Sequence, residues 1–202
     1  MCQYLSFVLL LVGKSVTSRC ARLCGFVRRI VNSRNATVLK RLYCTICRPV
    51  IEYNIPVWLP HQKNHILALE AIQRRFTRSC FPYHISNTLT YEQRLEKLAL
   101  PPLYNRLIYL TVSFVVKCIR SCHDVPDYIL PIPSSRRSHS LLFNHQLARS
   151  NALKFSCFYA FPRFWDTLPE EIRDLCVDTS ISPCLSALRG LLFEQSPIER
   201  AF

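Results

Sequence analysis

Glycine is nearly missing from this chain: of 202 residues only Gly13, Gly25 and Gly190 are glycine. A phosphate cradle of the Walker or dinucleotide-binding kind needs several glycines within a few residues, so both are excluded. Aspartate is scarce in a patterned way. It occurs only at 124, 127, 166, 174 and 178, leaving the first 123 residues without any and the chain without an Asp-Asp pair. Two-metal phosphoryl chemistry needs several converging carboxylates. The four N-terminal acids, Glu52, Glu70, Glu92 and Glu96, are scattered and read mostly as helical surface positions. A self-contained polymerase or nuclease site is therefore not expected. Disorder is not expected either, because half the residues are hydrophobic and only 19% are charged.

Basic charge is present in excess and is unevenly placed. Residues 1–120 hold 18 Lys and Arg against 4 Glu, a net +14, whereas residues 121–202 hold 8 against 9, a net −1. Nine basic residues precede the first acid, Glu52. This balance suits the first half to a polyanion and leaves the second half neutral.

Eleven cysteines, an odd number, lie at 2, 20, 24, 44, 47, 80, 118, 122, 157, 176 and 184 with no evenly spaced framework. Most occupy apolar positions of helical patterns, where a free thiol acts as a small buried hydrophobe. Reduced thiols and an intracellular location, cytoplasmic or nuclear, are expected. Cys44 and Cys47 form a CxxC, and Cys20 and Cys24 lie one turn apart. Two antiparallel helices would be needed to gather four thiolates round a zinc ion. No turn residues flank either pair, and buried core thiols are the preferred reading. The apolar run from Tyr4 to Val12 is too short to span a bilayer. It also has no basic residue before it and no small-residue cleavage site after it. A buried strand or the start of a helix is expected there, with no membrane partner.

The periodicity predicts a mainly α fold. A helical pattern over 15–31 places Val16, Cys20, Leu23, Cys24, Val27 and Ile30 on one side. Asn35 or Thr37 can cap a second helix, which Pro49 is expected to kink or end. The cleanest pattern runs from about Lys63 to Cys80, with Ile66, Leu69, Ile72, Phe76 and Cys80 as the buried stripe. There Glu70 and Arg74 are spaced as an i,i+4 ion pair, and Arg74, Arg75 and Arg78 lie opposite the stripe. Thr90-Tyr91-Glu92-Gln93 reads as a capping box. Leu103 to Cys122 reads as the central core helix, with Arg106, Ser113, Lys117 and Arg120 as its wet edge. The expected organisation is a basic helical region over 1–123, a Pro/Ser/Arg-rich linker over 124–150 and a small mixed extension over 151–202. That extension is rich in aromatics and ends in a helix starting near Ser182-Pro183.

Several blocks in order resemble a known family. They are Leu5-Ser6-Phe7; Ala21-Arg22-Leu23-Cys24-Gly25-Phe26-Val27-x-Arg29; Arg41-Leu42-Tyr43 leading to Arg48-Pro49-Val50-Ile51-Glu52-Tyr53; and Val57-Trp58-x-Pro60. Leu69-Glu70-x-Ile72-Gln73-Arg74-Arg75-Phe76-Thr77-Arg78 and Tyr91-x-x-Arg94-Leu95-x-x-Leu98-x-Leu100-x-x-Leu103 follow. The last are Ala148-Arg149-Ser150-Asn151, then Phe155, Phe158 and Trp165-Asp166-x-Leu168-Pro169-x-x-Ile172-Arg173. Together they resemble reverse transcriptases of non-LTR (LINE, jockey-like) retrotransposons, in the region after the catalytic palm.

The resemblance implies the end of the palm, a helical thumb and a C-terminal extension. It lacks the palm aspartates on which RNA-directed DNA synthesis rests. It implies an RNA or RNA/DNA template–primer duplex as partner, held mainly by its backbone, together with the missing palm portion. No cofactor, metal ligand or catalytic residue is assigned to the chain. Arg74, Arg75 and Arg78, with Lys40, Arg41 and Arg48, are the best phosphate contacts, and Arg28 and Arg29 join them as nucleic-acid-binding candidates. Glu52, Tyr53 and Trp58 are expected to serve packing and helix ends. The alternative is a non-enzymatic helical interaction or scaffold protein derived from a mobile element, with aromatic residues 155–165 as its partner surface.

Overall fold

The computed structural model describes residues 2–31, 35–121, 157–166, 169, 171 and 181–194, and within these the side chains of 15–31, 35–118, 159, 161, 162, 165, 166, 169, 171 and 182–193. The expected linker over 124–150 lies outside these residues, as does most of the chain between 167 and 180. Among the described residues the fold is helical, without strands. The helices are α1 (Cys2–Ile30), α2 (Ala36–Leu42), α3 (Arg48–Glu52), α4 (Ile55–Trp58), α5 (Lys63–Ser79), α6 (Tyr83–Thr88), α7 (Tyr91–Leu98), α8 (Leu103–Ser121), α9 (Cys157–Asp166) and α10 (Ile181–Glu194). The mainly α expectation therefore holds. The described parts of the C-terminal extension are the helices α9 and α10. By their contacts, residues 7–107 make one compact unit, and residues 1–6 with 108–202 make another.

Helix α1 starts well before the predicted Ser15 and takes in the apolar run at Tyr4–Val12 and Gly13. Among its described side chains Cys20, Cys24 and Val27 are buried, while Ile30 at its end is exposed. No single helix among the described residues is long and apolar enough to cross a membrane. Asn35 caps α2, its side-chain carbonyl accepting from the Thr37 amide at 2.9 Å.

The helical run does not end at Pro49 but continues to Glu52. A π turn over Tyr43–Cys47 joins α2 to α3, with the Arg48 amide donating to the Tyr43 carbonyl five residues back. The proline sits at the start of α3, where its missing N–H and its ring are tolerated. The buried positions show why the wider turn belongs there. Leu39, Tyr43, Cys47 and Ile51 are buried and spaced by four. On a 3.6-residue helix each four-residue step overshoots by about 40°. A turn that holds one extra residue brings the stripe back to one face. Asn54, left-handed at φ 54°, then turns the chain into α4.

The stripe expected of α5 is confirmed, since Ile66, Leu69, Ile72, Phe76 and Cys80 are all buried. Phe76 stacks on Tyr43 with ring centroids 4.8 Å apart. The capping box of α7 is formed in both directions. Thr90 Oγ1 accepts from the Gln93 amide, and Gln93 Oε1 accepts from the Thr90 amide. Helix α7 ends on Ala99 in the left-handed region, and Pro101-Pro102 leads into α8.

In the second unit Val112, Val115 and Val116 of α8 pack with Phe161 and Trp165 of α9 and with Cys184, Leu188 and Leu192 of α10. Phe161 and Trp165 are core residues here. Ser113, expected on the wet edge of α8, is buried, and Phe114 is exposed instead. Six described cysteines are free, and Cys184 is disulfide-bonded.

Candidate nucleic-acid interface

The basic residues of α5 are separated from its other polar residues by which way each points. Arg74, Arg75 and Arg78 are exposed, as the periodicity predicts. Glu70, the only acid in the helix, does not pair with Arg74 on the surface. Its side chain is buried, with 2% of its surface exposed. The carboxylate accepts from the Leu103 and Tyr104 amides, each at 3.2 Å, and from the Tyr91 hydroxyl at 2.5 Å. It thus receives the free amides at the start of α8, which carry the positive end of that helix. Burial raises the Glu70 pKa above the usual carboxylate range, against the lowering effect of these three hydrogen bonds and of Arg74. With this acid turned inward, no carboxylate of α5 faces its arginines.

Gln73 extends the buried network. Its Oε1 accepts from the Tyr43 hydroxyl at 2.9 Å, and its Nε2 donates to the Pro101 carbonyl at 2.9 Å and the Tyr91 hydroxyl at 3.2 Å. Four segments are thereby joined through one amide. Burial is the main cause of the raised pKa of Tyr91, so the phenol stays protonated and available as a donor. On the outer side, Arg74 lies over the Tyr91 ring, 4.9 Å from its centroid. This contact orients the guanidinium without neutralising it.

Arg94 belongs to the interior as well. It is buried, and its Nη1 donates to the Ser86 and Leu89 carbonyls at 3.1 and 2.9 Å, closing the C-terminal end of α6. Desolvation, then the charges of Arg78 and Arg74, lower its pKa. The latter two effects mean that three cations share this side of the unit.

The other expected contacts differ among themselves. Arg28 and Arg29 are exposed in the last turn of α1, where positive charge also suits the helix dipole. Arg41 is exposed and Lys40 half-buried on α2. Arg48 is half-buried, with its Nε 2.9 Å from Glu52 Oε1 as an ion pair without hydrogen-bond geometry. Glu52 also takes Arg106, whose Nε and Nη2 donate to its two oxygens. Arg48 is therefore partly satisfied within the fold. Glu52 acts between helices as expected, and Trp58 is buried with its indole N–H donating to the Tyr53 carbonyl at 2.9 Å. Tyr53 itself is exposed.

The sulfur residues come together only in part. Cys20, Cys24 and Cys47 are buried, and Cys20 Sγ donates to the Cys47 carbonyl at 3.4 Å. The hydrogen bond with Cys20 and burial push the Cys24 thiol up to about 12, although its contact with Cys47 acts the other way. Its bond with Cys24, and then burial, raise Cys47 as well. Cys44, the other half of the CxxC, is only half-buried, and no group of three or more ligand-type side chains among the described residues is set to hold a metal ion.

The surface between α1 and α5 is not marked by any motif or charge pattern in the sequence. A groove of about 390 Å³ runs there, with Cys24, Ile72 and Phe76 lining it together with four small residues and two arginines. Its only signal in the sequence was small residues one turn apart on two helices, Ala21 with Gly25 and Ala68 with Ala71. No family model matches the chain, and neither a curated protein nor a solved structure matches it.

Proposed function

We propose that this chain is the nucleic-acid-binding part of an RNA-directed DNA polymerase of the non-LTR retrotransposon kind, comprising the end of the palm, the thumb and the extension beyond it. It grips the backbone of an RNA or RNA/DNA template–primer duplex and does no chemistry alone. Synthesis would require an intracellular palm portion carrying the metal-binding aspartates.

One observation carries the reading: Arg74, Arg75 and Arg78 are exposed on one helix whose only carboxylate, Glu70, is turned into the core. The usual explanation of a charge cluster, a solvated face with local ion pairs, needs acids that α5 does not present. The ordered blocks resembling the family support the same conclusion. Glu70, Gln73 and Arg94, which lie in these blocks, make buried hydrogen bonds that tie the helices of this unit together. A phosphate-rich partner also accounts for the net +14 of residues 1–120. The rival reading, a scaffold that recognises its partner through aromatic residues 155–165, is weakened because Phe161 and Trp165 are buried among α8, α9 and α10.

The test is fluorescence anisotropy with a labelled RNA/DNA hybrid over a range of salt. With five or six cations on phosphates, log affinity falls against log salt with a slope of roughly −5. Reversing Arg74, Arg75 and Arg78 to Glu collapses binding. A slope near zero refutes the reading. So does metal-dependent nucleotide incorporation by the isolated chain that is lost on mutating one of its own carboxylates.

A further inference from the structure

The groove between α1 and α5 is built from small residues on both walls: Ala21 and Gly25 on one, Ala68 and Ala71 on the other. Gly25 is informative. Inside a helix a glycine is less favourable than alanine by roughly 1 kcal/mol. A Cβ built at Gly25 would meet nothing within 4 Å, so no internal contact requires its absence. The space it leaves belongs to the groove.

The charges are as selective as the shape. Arg28 lines the groove from α1 and Arg75 from α5, and no carboxylate lines it. Both arginines are exposed, and among the described residues neither is held in an ion pair. The positive charge of Arg28 is felt at Cys24 in the floor. An anion is therefore expected between the two walls, over an apolar floor. The volume is near the lower end of small-ligand sites, about 300–1,000 Å³. An extended sugar–phosphate chain offers the carbon faces of its sugars to the alanines and glycine, and regularly spaced anions to the two arginines, one from each helix.

We infer that this groove is the track for the sugar–phosphate backbone of one strand of bound nucleic acid, with Arg28 and Arg75 closing on its phosphates. The assignment rests on the nucleic-acid reading above and adds to it where the strand lies and why α1 carries a glycine there.

The experiment uses the full chain with a labelled RNA/DNA hybrid and, separately, a labelled single strand. Arg28→Gln with Arg75→Gln reduces the salt slope by about 2, because two phosphate contacts are lost. Gly25→Leu with Ala68→Leu fills the trench and weakens binding at least tenfold, with the fold checked by circular dichroism. Should the filled variant not fold, Ala68→Leu alone, altered only at an exposed position that lines the groove, takes its place and decides. Unchanged affinity and slope in the folded groove variants, while Arg74→Glu with Arg78→Glu abolishes binding, overturns the groove and leaves the broader reading standing. No binding of either probe by the unaltered chain overturns both. A groove whose variants change binding of polyglutamate but not of nucleic acid is an acidic-peptide site, and that result also overturns the assignment.

Discussion

Replacing Glu70 by alanine tests whether this acid is a structural link between helices. Its carboxylate serves two backbone amides at the start of α8 and the Tyr91 hydroxyl in a buried position. Loss of a side-chain cap costs about 1 kcal/mol, and each buried donor left without an acceptor adds about 1–3 kcal/mol. Removing a buried acid returns part of this, because desolvation already opposes its charged form. The net expectation is a loss of about 3 kcal/mol. With a urea m-value of about 2 kcal/mol/M, the midpoint falls by roughly 1.5 M. Glu96→Ala, at an exposed position on α7, is the control and should stay within about 0.5 kcal/mol. The assay is urea unfolding followed by far-UV circular dichroism and by tryptophan fluorescence. If Glu70→Ala shifts the midpoint no more than Glu96→Ala, Glu70 is not the acceptor for α8 and the reasoning fails.

The same carboxyl makes a prediction about pH. Its pKa in the folded chain is raised above the ordinary carboxylate value of 4.5, so the folded state binds the proton more tightly than the unfolded state. The resulting stabilisation is complete below the unfolded value and is lost as pH rises through the folded one. Unfolding of the unaltered chain and of Glu70→Gln across this window should show the unaltered chain losing stability relative to the variant as pH rises; a difference that grows in the opposite direction contradicts the assignment. Arg94→Met keeps the stem packing but removes the donors to the Ser86 and Leu89 carbonyls, and should cost about 2 kcal/mol. Amide exchange should quicken in α6 before α5, and uniform quickening throughout would mean that Arg94 does not hold that helix end.

What could be read from the sequence was local. The stripe of α5, the Asn35 cap and the capping box at Thr90–Gln93 rest on spacings of two to four residues, and each appears in the structure. What could not be read depended on partners distant in the chain. At i,i+4 from Arg74, Glu70 reads as half of a surface pair. Its actual partners, the amides of Leu103 and Tyr104, are more than thirty residues away. Ser113 looked wet because serine usually is, but its position on α8 is buried. The groove was invisible for a related reason: it is defined by atoms that are absent from two helices at once. Of the expected phosphate contacts, exposure on α5 was legible from period alone, whereas the partial engagement of Arg48 depended on Glu52 lying between it and Arg106.

The π turn at Tyr43–Cys47 has a consequence for how this stretch of chain tolerates change. It holds one residue more than the α-helical turn it replaces, so the segment behaves as a helix with an inserted residue whose phase error is absorbed at one place. Side-chain substitutions at Thr45 or Ile46, which face outward, leave that phase intact. Deleting either would let the turn close into ordinary α-helix with the residues after it still in phase, because the residue lost is the one the turn absorbs. Ile51 would stay on the buried face and Glu52 within reach of Arg106. Closing the turn while keeping all its residues is what would rotate the following segment by about 100°. Between the Asn35 cap and the Asn54 turn, the π turn is therefore the place where one residue can be lost at least cost to the core.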